Sequence, residues 1–148
     1  MKKDFVIRGQ TASGETEILE FGGHKENYAY RLVEFSLYPS TGIGSGDSEQ
    51  VGSITAGKTA IAPTDVNFND EGLIGTAYLG IDDDHRFPSY YNSVINDTFL
   101  ITQNLILMVQ DTSSAGTPIN WQCRFVSEKM TDAAAAVQNF RQFSIFDG

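Results

Sequence analysis

Apolar residues recur at every second position through most of this chain, and that period constrains its fold more than any other feature. Alternation turns one side of an extended strand toward a core and the other toward water, whereas a helix needs a spacing of three and four. In YAYRLVEFSLY, residues 28–38, Val33, Phe35 and Leu37 are expected on one face and Tyr30, Glu34, Ser36 and Tyr38 on the other. Shorter strands are expected over 4–8, 16–21, 50–55, 59–62 and 66–68. In GLIGTAYLGI, residues 72–81, Leu73, Gly75, Ala77, Leu79 and Ile81 share a face whose small members suit close approach by a neighbouring element. The same period returns over 94–101, 105–111 and 119–130, where Trp121, Cys123 and Phe125 mark a buried row.

The interruptions are as informative as the strands. PSTGIGSGDSE (39–49) and DDDHRFPSYYN (82–92) lack periodicity and read as exposed loops. TSSAGTP (112–118) separates two well-patterned strands and predicts a hairpin between them. After Met130 the period changes. Thr131 can cap a helix, Asp132 lies beside its positive end, and Ala133, Ala136, Val137 and Phe140 fall on one stripe, which predicts one short C-terminal helix. Many short strands with glycine-rich turns predict an all-β, antiparallel β-sandwich formed as a single domain over residues 1–148, with a jelly roll as the expected form.

Charge and cysteine content exclude several classes of function. Nineteen acidic residues against 10 basic ones give a net charge of −9, with no basic stripe to displace counterions from a nucleic-acid backbone. Direct nucleic-acid binding is therefore not expected. The single cysteine, Cys123, permits no intrachain disulfide and no four-thiolate zinc site, and it reads as an inert core thiol. MKKDFVIRGQ lacks the apolar region of a secretory signal, and the run over 105–109 is too short to span a bilayer, so cytoplasmic synthesis without membrane insertion is expected.

One stretch, GSITAGKT (52–59), fits the nucleotide-binding pattern G-x-x-x-x-G-K-[ST] at every fixed position. A phosphate loop needs a buried strand leading in and a helix starting behind it. Here an acidic, polar approach precedes Gly52, and Pro63 falls in the second turn of the required helix, at a cost of about 3 kcal/mol. Gly52 and Gly57 then read as turn or bulge positions and Lys58 as a surface charge. No cofactor and no catalytic constellation is expected, so the chain reads as non-enzymatic.

Asp65, Asn67 and Asn69 have the spacing of a calcium loop, but Asp70 stands where glycine is needed and Thr76 where a bidentate glutamate is needed. The alternative there is a polar strand and turn with Val66 and Phe68 facing inward. A non-helical calcium site could also recruit Asp82, Asp83 or Asp84. Phe87, Tyr90 and Tyr91 place aromatic surface in a loop, and Phe140, Phe143 and Phe146 place it near the C-terminus; all six are interface candidates.

The ending NLILMVQDTSSAGTPINWQCRFVSEKMTDAAAAVQNF, residues 104–140, resembles that of small jelly-roll structural proteins of virus particles, particularly tailless bacteriophages. The resemblance covers roughly the last third of the chain and rests on pattern. It implies a capsid, cement or spike component that forms homo-oligomers or binds other virion proteins, is located in the virion, and has no catalytic site. Segments 2–8 and 143–146 would then serve as arms that pair with a neighbouring subunit's sheet edge. A carbohydrate- or ligand-binding β module using Phe87, Tyr90 and Tyr91 with Asp82, Asp83 and Asp84 is the competing reading, and nucleotide binding through 52–59 is the third.

Overall fold

The computed structural model describes residues 3–21, 28–41, 48–57, 59–81, 90–113 and 116–130. The helix expected after Thr131, and with it Phe140, Phe143 and Phe146, lies outside the described residues, as do Lys58, Asp82, Asp83, Asp84 and Phe87.

Eight strands are described: β1 (Lys3–Thr11), β2 (Thr16–Leu19), β3 (Tyr28–Pro39), β4 (Ser48–Thr55), β5 (Leu73–Ile81), β6 (Tyr90–Ile95), β7 (Leu105–Asp111) and β8 (Ile119–Lys129). They form two antiparallel sheets, one of three strands in the order β1-β8-β3 and one of five in the order β2-β7-β4-β5-β6. The expected all-β, antiparallel, sandwich-like architecture is present. Its interior is the inward row of each alternating strand: Leu105, Leu107 and Val109 from β7 lie in one cluster with Ile119, Trp121, Cys123 and Phe125 from β8. Each large apolar side chain withdrawn from water contributes about 1.5–3 kcal/mol toward offsetting chain entropy.

At one end of the core, Phe5, Phe21, Tyr30 and Phe125 form an aromatic group. Phe5 stacks on Phe125 at 5.5 Å between ring centroids, and Phe21 meets Phe125 edge-on at 5.1 Å. Trp121 keeps its indole N–H satisfied by donating to Thr11 Oγ1 at 2.9 Å, which lets the ring remain in the core.

The strand after residue 28 contains a bulge that the alternation does not reveal. Leu32 pairs with Phe125 and Glu34 with Arg124, leaving Val33 as the extra residue. The bulge reverses the facing on its N-terminal side. Leu32, Phe35 and Leu37 are buried, and Val33 is only half-buried.

Residues 105–130 form two strands but not a hairpin. β7 pairs with β2 and β4, whereas β8 pairs with β1 and β3 in the other sheet. The connection is an arch, so the inward rows of the two strands meet across the sandwich and both are buried.

Segments 59–62 and 66–68, expected as strands, are turns and irregular chain instead. Asp65 N–H donates to Ala62 O and Asp70 N–H to Asn67 O, closing successive turns. Ser53 Oγ donates to Ile61 O, and Thr55 Oγ1 accepts from Ile61 N–H, which fastens this segment to β4.

The strand expected over 94–101 is displaced. It begins at Tyr90, inside the expected loop, and ends at Ile95. There the Asn96 carboxamide accepts from the N–H and hydroxyl of Thr98 and turns the chain. Ile101 then makes an isolated antiparallel bridge to Tyr30.

Candidate functional site

The phosphate-loop letters begin in a central strand. Residues 52–55 belong to β4, which pairs with β5 on one side and β7 on the other. Their backbone groups are committed to two ladders, not arranged around an anion. Gly52 is not a turn residue. A Cβ there would lie 2.9 Å from Phe35 Cζ and 3.3 Å from Leu37 Cδ2, so the glycine admits the opposite sheet's side chains. Gly75 does the same for Leu32, whose Cδ2 would lie 2.9 Å from a Cβ. The small residues expected to permit close approach in β5 therefore do so.

Around the calcium-like spacing, side-chain oxygens are used locally. Asn67 Oδ1 accepts from Asn69 N–H at 2.9 Å, and Asp70 Oδ1 from Gly72 N–H at 3.0 Å. Asp65, Asn67, Asn69 and Asp70 are all exposed. Among the described residues, no three His, Cys, Asp or Glu side chains gather to hold a metal ion.

The aromatic candidates separate. Tyr91 is on the strand face that turns toward β3, and its hydroxyl donates to Phe35 O. Tyr90 pairs with Gly80, and its ring meets Tyr78 at 5.6 Å in an edge-to-face arrangement. With Asn92 and Val94 from alternate positions of β6, and Val51 and Thr76 from β4 and β5, these tyrosines line a groove of about 530 Å³. Pro63, Val66 and Phe68 complete the lining from the segment fastened to β4.

Phe68, expected to face inward, is 66% exposed, and Tyr78 and Tyr90 are also open to solvent. The Tyr78 hydroxyl is held above the ordinary tyrosine range by burial first and then by the Glu49 carboxylate, to which it hydrogen-bonds. Like an ordinary tyrosine, it is protonated and polar at neutral pH. Among the described residues that line it, no side chain carries a charge, although the chain has 19 acidic and 10 basic residues. Such a groove combines aromatic surface with hydroxyl and carboxamide groups, the chemistry that receives a neutral polar ligand. The alternation identified Tyr90 only as a loop aromatic. Tyr78 was legible in principle, as an aromatic on the outward row of β5.

Two further groups are structural. Cys123 is fully buried, and burial raises its thiol far above the ordinary range, so it is an inert core residue as expected. Asp111, at the start of the arch, is buried and accepts four hydrogen bonds, from the N–H and hydroxyl of Ser113 and of Thr117.

The segment expected as an N-terminal arm is a strand of its own sheet, because β1 pairs with β8 from Lys3 to Thr11. It ends that sheet and, among the described residues, has a neighbour on one side only.

No family model matches this chain, and no curated protein matches it. A solved structure described as "Bacillus endospore appendages form a novel family of disulfide-linked pili" is similar over 88% of both chains, at 11% identity and a TM-score of 0.34, too low a likeness to carry an argument about fold or function.

Proposed function

We propose that this chain is a non-catalytic structural subunit of the jelly-roll kind that builds virions, joined to copies of itself or to other virion proteins through its sheet edges. The observation that carries the reading is the nesting of its antiparallel pairs. β1 lies with β8, β2 with β7, and β4 with β5. β3 meets the chain just beyond β6, at the bridge between Tyr30 and Ile101. A long two-armed hairpin wound into a sandwich, the winding of a jelly roll, would give this nesting, and the nesting supports that reading. Such a sandwich leaves edges that can serve as templates for another chain.

The test is molar mass by light scattering across a range of salt and calcium concentrations, with electron microscopy of the same samples. Oligomers or particles are expected. A strictly monomeric chain under every condition would sink the proposal.

The groove, whose described lining residues carry no charge, favours a second reading, compatible with the first, in which the subunit also holds a neutral saccharide against Tyr78 and Tyr90. Titration with neutral oligosaccharides, followed by tyrosine fluorescence, should show saturable binding that Tyr90→Ala weakens by about tenfold. Tyr38→Ala, on the three-stranded sheet, should leave it unchanged. Equal binding by Tyr90→Ala and the unaltered chain would remove the groove from consideration.

A further inference from the structure

We infer that two copies of this chain join edge to edge through β1, antiparallel and centred on Val6, with Asp4 of each copy opposite Arg8 of the other. The inference rests on the assembly reading above and identifies its contact. β1 is paired with β8 without a register break from Lys3–Ser127 to Thr11–Ile119, so it is a regular strand nine residues long. It contains no proline and no bulge, the usual means of blunting an edge. Alternate N–H and C=O groups of such a strand point away from its own sheet, and among the described residues no strand pairs with them. Asp4, Val6, Arg8 and Gln10 lie on the exposed face, with Val6 40% exposed, while Phe5 and Ile7 are half-buried against the core.

This edge is complementary to itself. With Val6 on the two-fold axis, Asp4 faces Arg8, Arg8 faces Asp4, and Val6 faces Val6, all on the outer surface. On the inner surface Phe5 faces Ile7 at both ends of the axis, which carries the apolar row from one core into the next. The axis must stand perpendicular to the sheet, because one lying in it would set inner residues against outer ones. Centring the pair on Phe5 or on Ile7 instead would put Val6 against Asp4 or Arg8 and leave the charges unmatched.

Among the described residues the ion pairs are Arg31–Glu128 and Arg124–Glu34, and neither Asp4 nor Arg8 is paired with a described residue. Opposite charges facing each other across a strand pair are favourable and like charges are not. For a chain of net charge −9, two local attractions at the contact also offset the general repulsion between copies.

The full-length chain, Asp4→Arg, Arg8→Asp and the double exchange should be compared by light scattering at matched concentration, with far-UV circular dichroism to check the fold. Each single reversal is expected to raise the dissociation constant about tenfold or more, because it replaces two attractions with two repulsions. The double exchange should restore association to within about threefold of the original. Val6→Lys, which sets two ammonium groups face to face on an already exposed position, should also dissociate the pair. If the chain associates and these variants leave its mass unchanged, or if the double exchange fails to restore it, the β1 contact is wrong and the assembly reading stands. If the unaltered chain is monomeric in every condition, both fall.

Discussion

Phe35→Ala is expected to lower the free energy of unfolding by about 3–5 kcal/mol, the range for removing a buried aromatic ring. For a domain of this size that corresponds to a fall in Tm of roughly 6–20 °C. Phe35 is 1% exposed and lies against two glycines of the opposite sheet, Gly52 and Gly75. The ring fills the space that a side chain at position 52 would occupy, so its loss leaves a cavity that rigid strands on both sides cannot close. Urea unfolding of the two chains measures the effect directly.

The cause can be separated from simple loss of apolar area by adding Gly52→Val. In the unaltered chain this substitution should cost about 1–3 kcal/mol through overpacking. In Phe35→Ala the added methyl groups enter the vacated space, and the cost should fall by about 1 kcal/mol or more. Strict additivity of the two changes would show that ring and glycine do not share one packing site.

Asp111→Ala is expected to cost about 2–4 kcal/mol at neutral pH, because it removes an ionised acceptor from four donors at the start of the arch. Thr117 Oγ1 lies 2.8 Å from Oδ2 and Ser113 N 2.9 Å from Oδ1. Burial, the largest single influence on this carboxyl, raises its pKa, but the four hydrogen bonds from Ser113 and Thr117 together outweigh it and hold the pKa below the ordinary carboxylate value.

A depressed folded-state pKa means that the carboxylate's contribution is fully present above the unfolded pKa of about 3.9. The contribution is lost as pH falls through the lower folded value. The stability difference between the unaltered chain and Asp111→Asn should therefore be largest near neutrality and shrink below about pH 4. Asn keeps one oxygen but presents N–H donors to other donors, so it should also be less stable at pH 7. A difference independent of pH would argue that Asp111 acts by shape alone.

The alternating pattern was enough to locate β7 and β8 and to identify the buried row of Trp121, Cys123 and Phe125, because side-chain direction along a strand is a local property of extended backbone. Pro63 and the polar approach, local features too, argued against a phosphate loop, but the approach is not a loop: Ser48–Thr55 is a strand, buried from Gln50 on. The partners of β7 and β8 were not legible. Two alternating strands joined by seven residues could pair as a hairpin or face each other across a sandwich, and the local pattern is the same in both.

At Val33, one unpaired residue moved Leu32 inward, and nothing in the letters distinguishes a bulge from continuous strand. The groove is likewise non-local: Val51, Phe68, Tyr78 and Tyr90 come from four separate stretches brought together by the sheet order. Tyr91 was as visible in the sequence as Tyr90, yet the pleat sends its hydroxyl to Phe35 O. Local chemistry thus determined which segments are strands and where many of their faces point. Only the tertiary structure decided which strands meet, because pairing and bulges depend on the summed burial of residues far apart in the chain, which no single window contains.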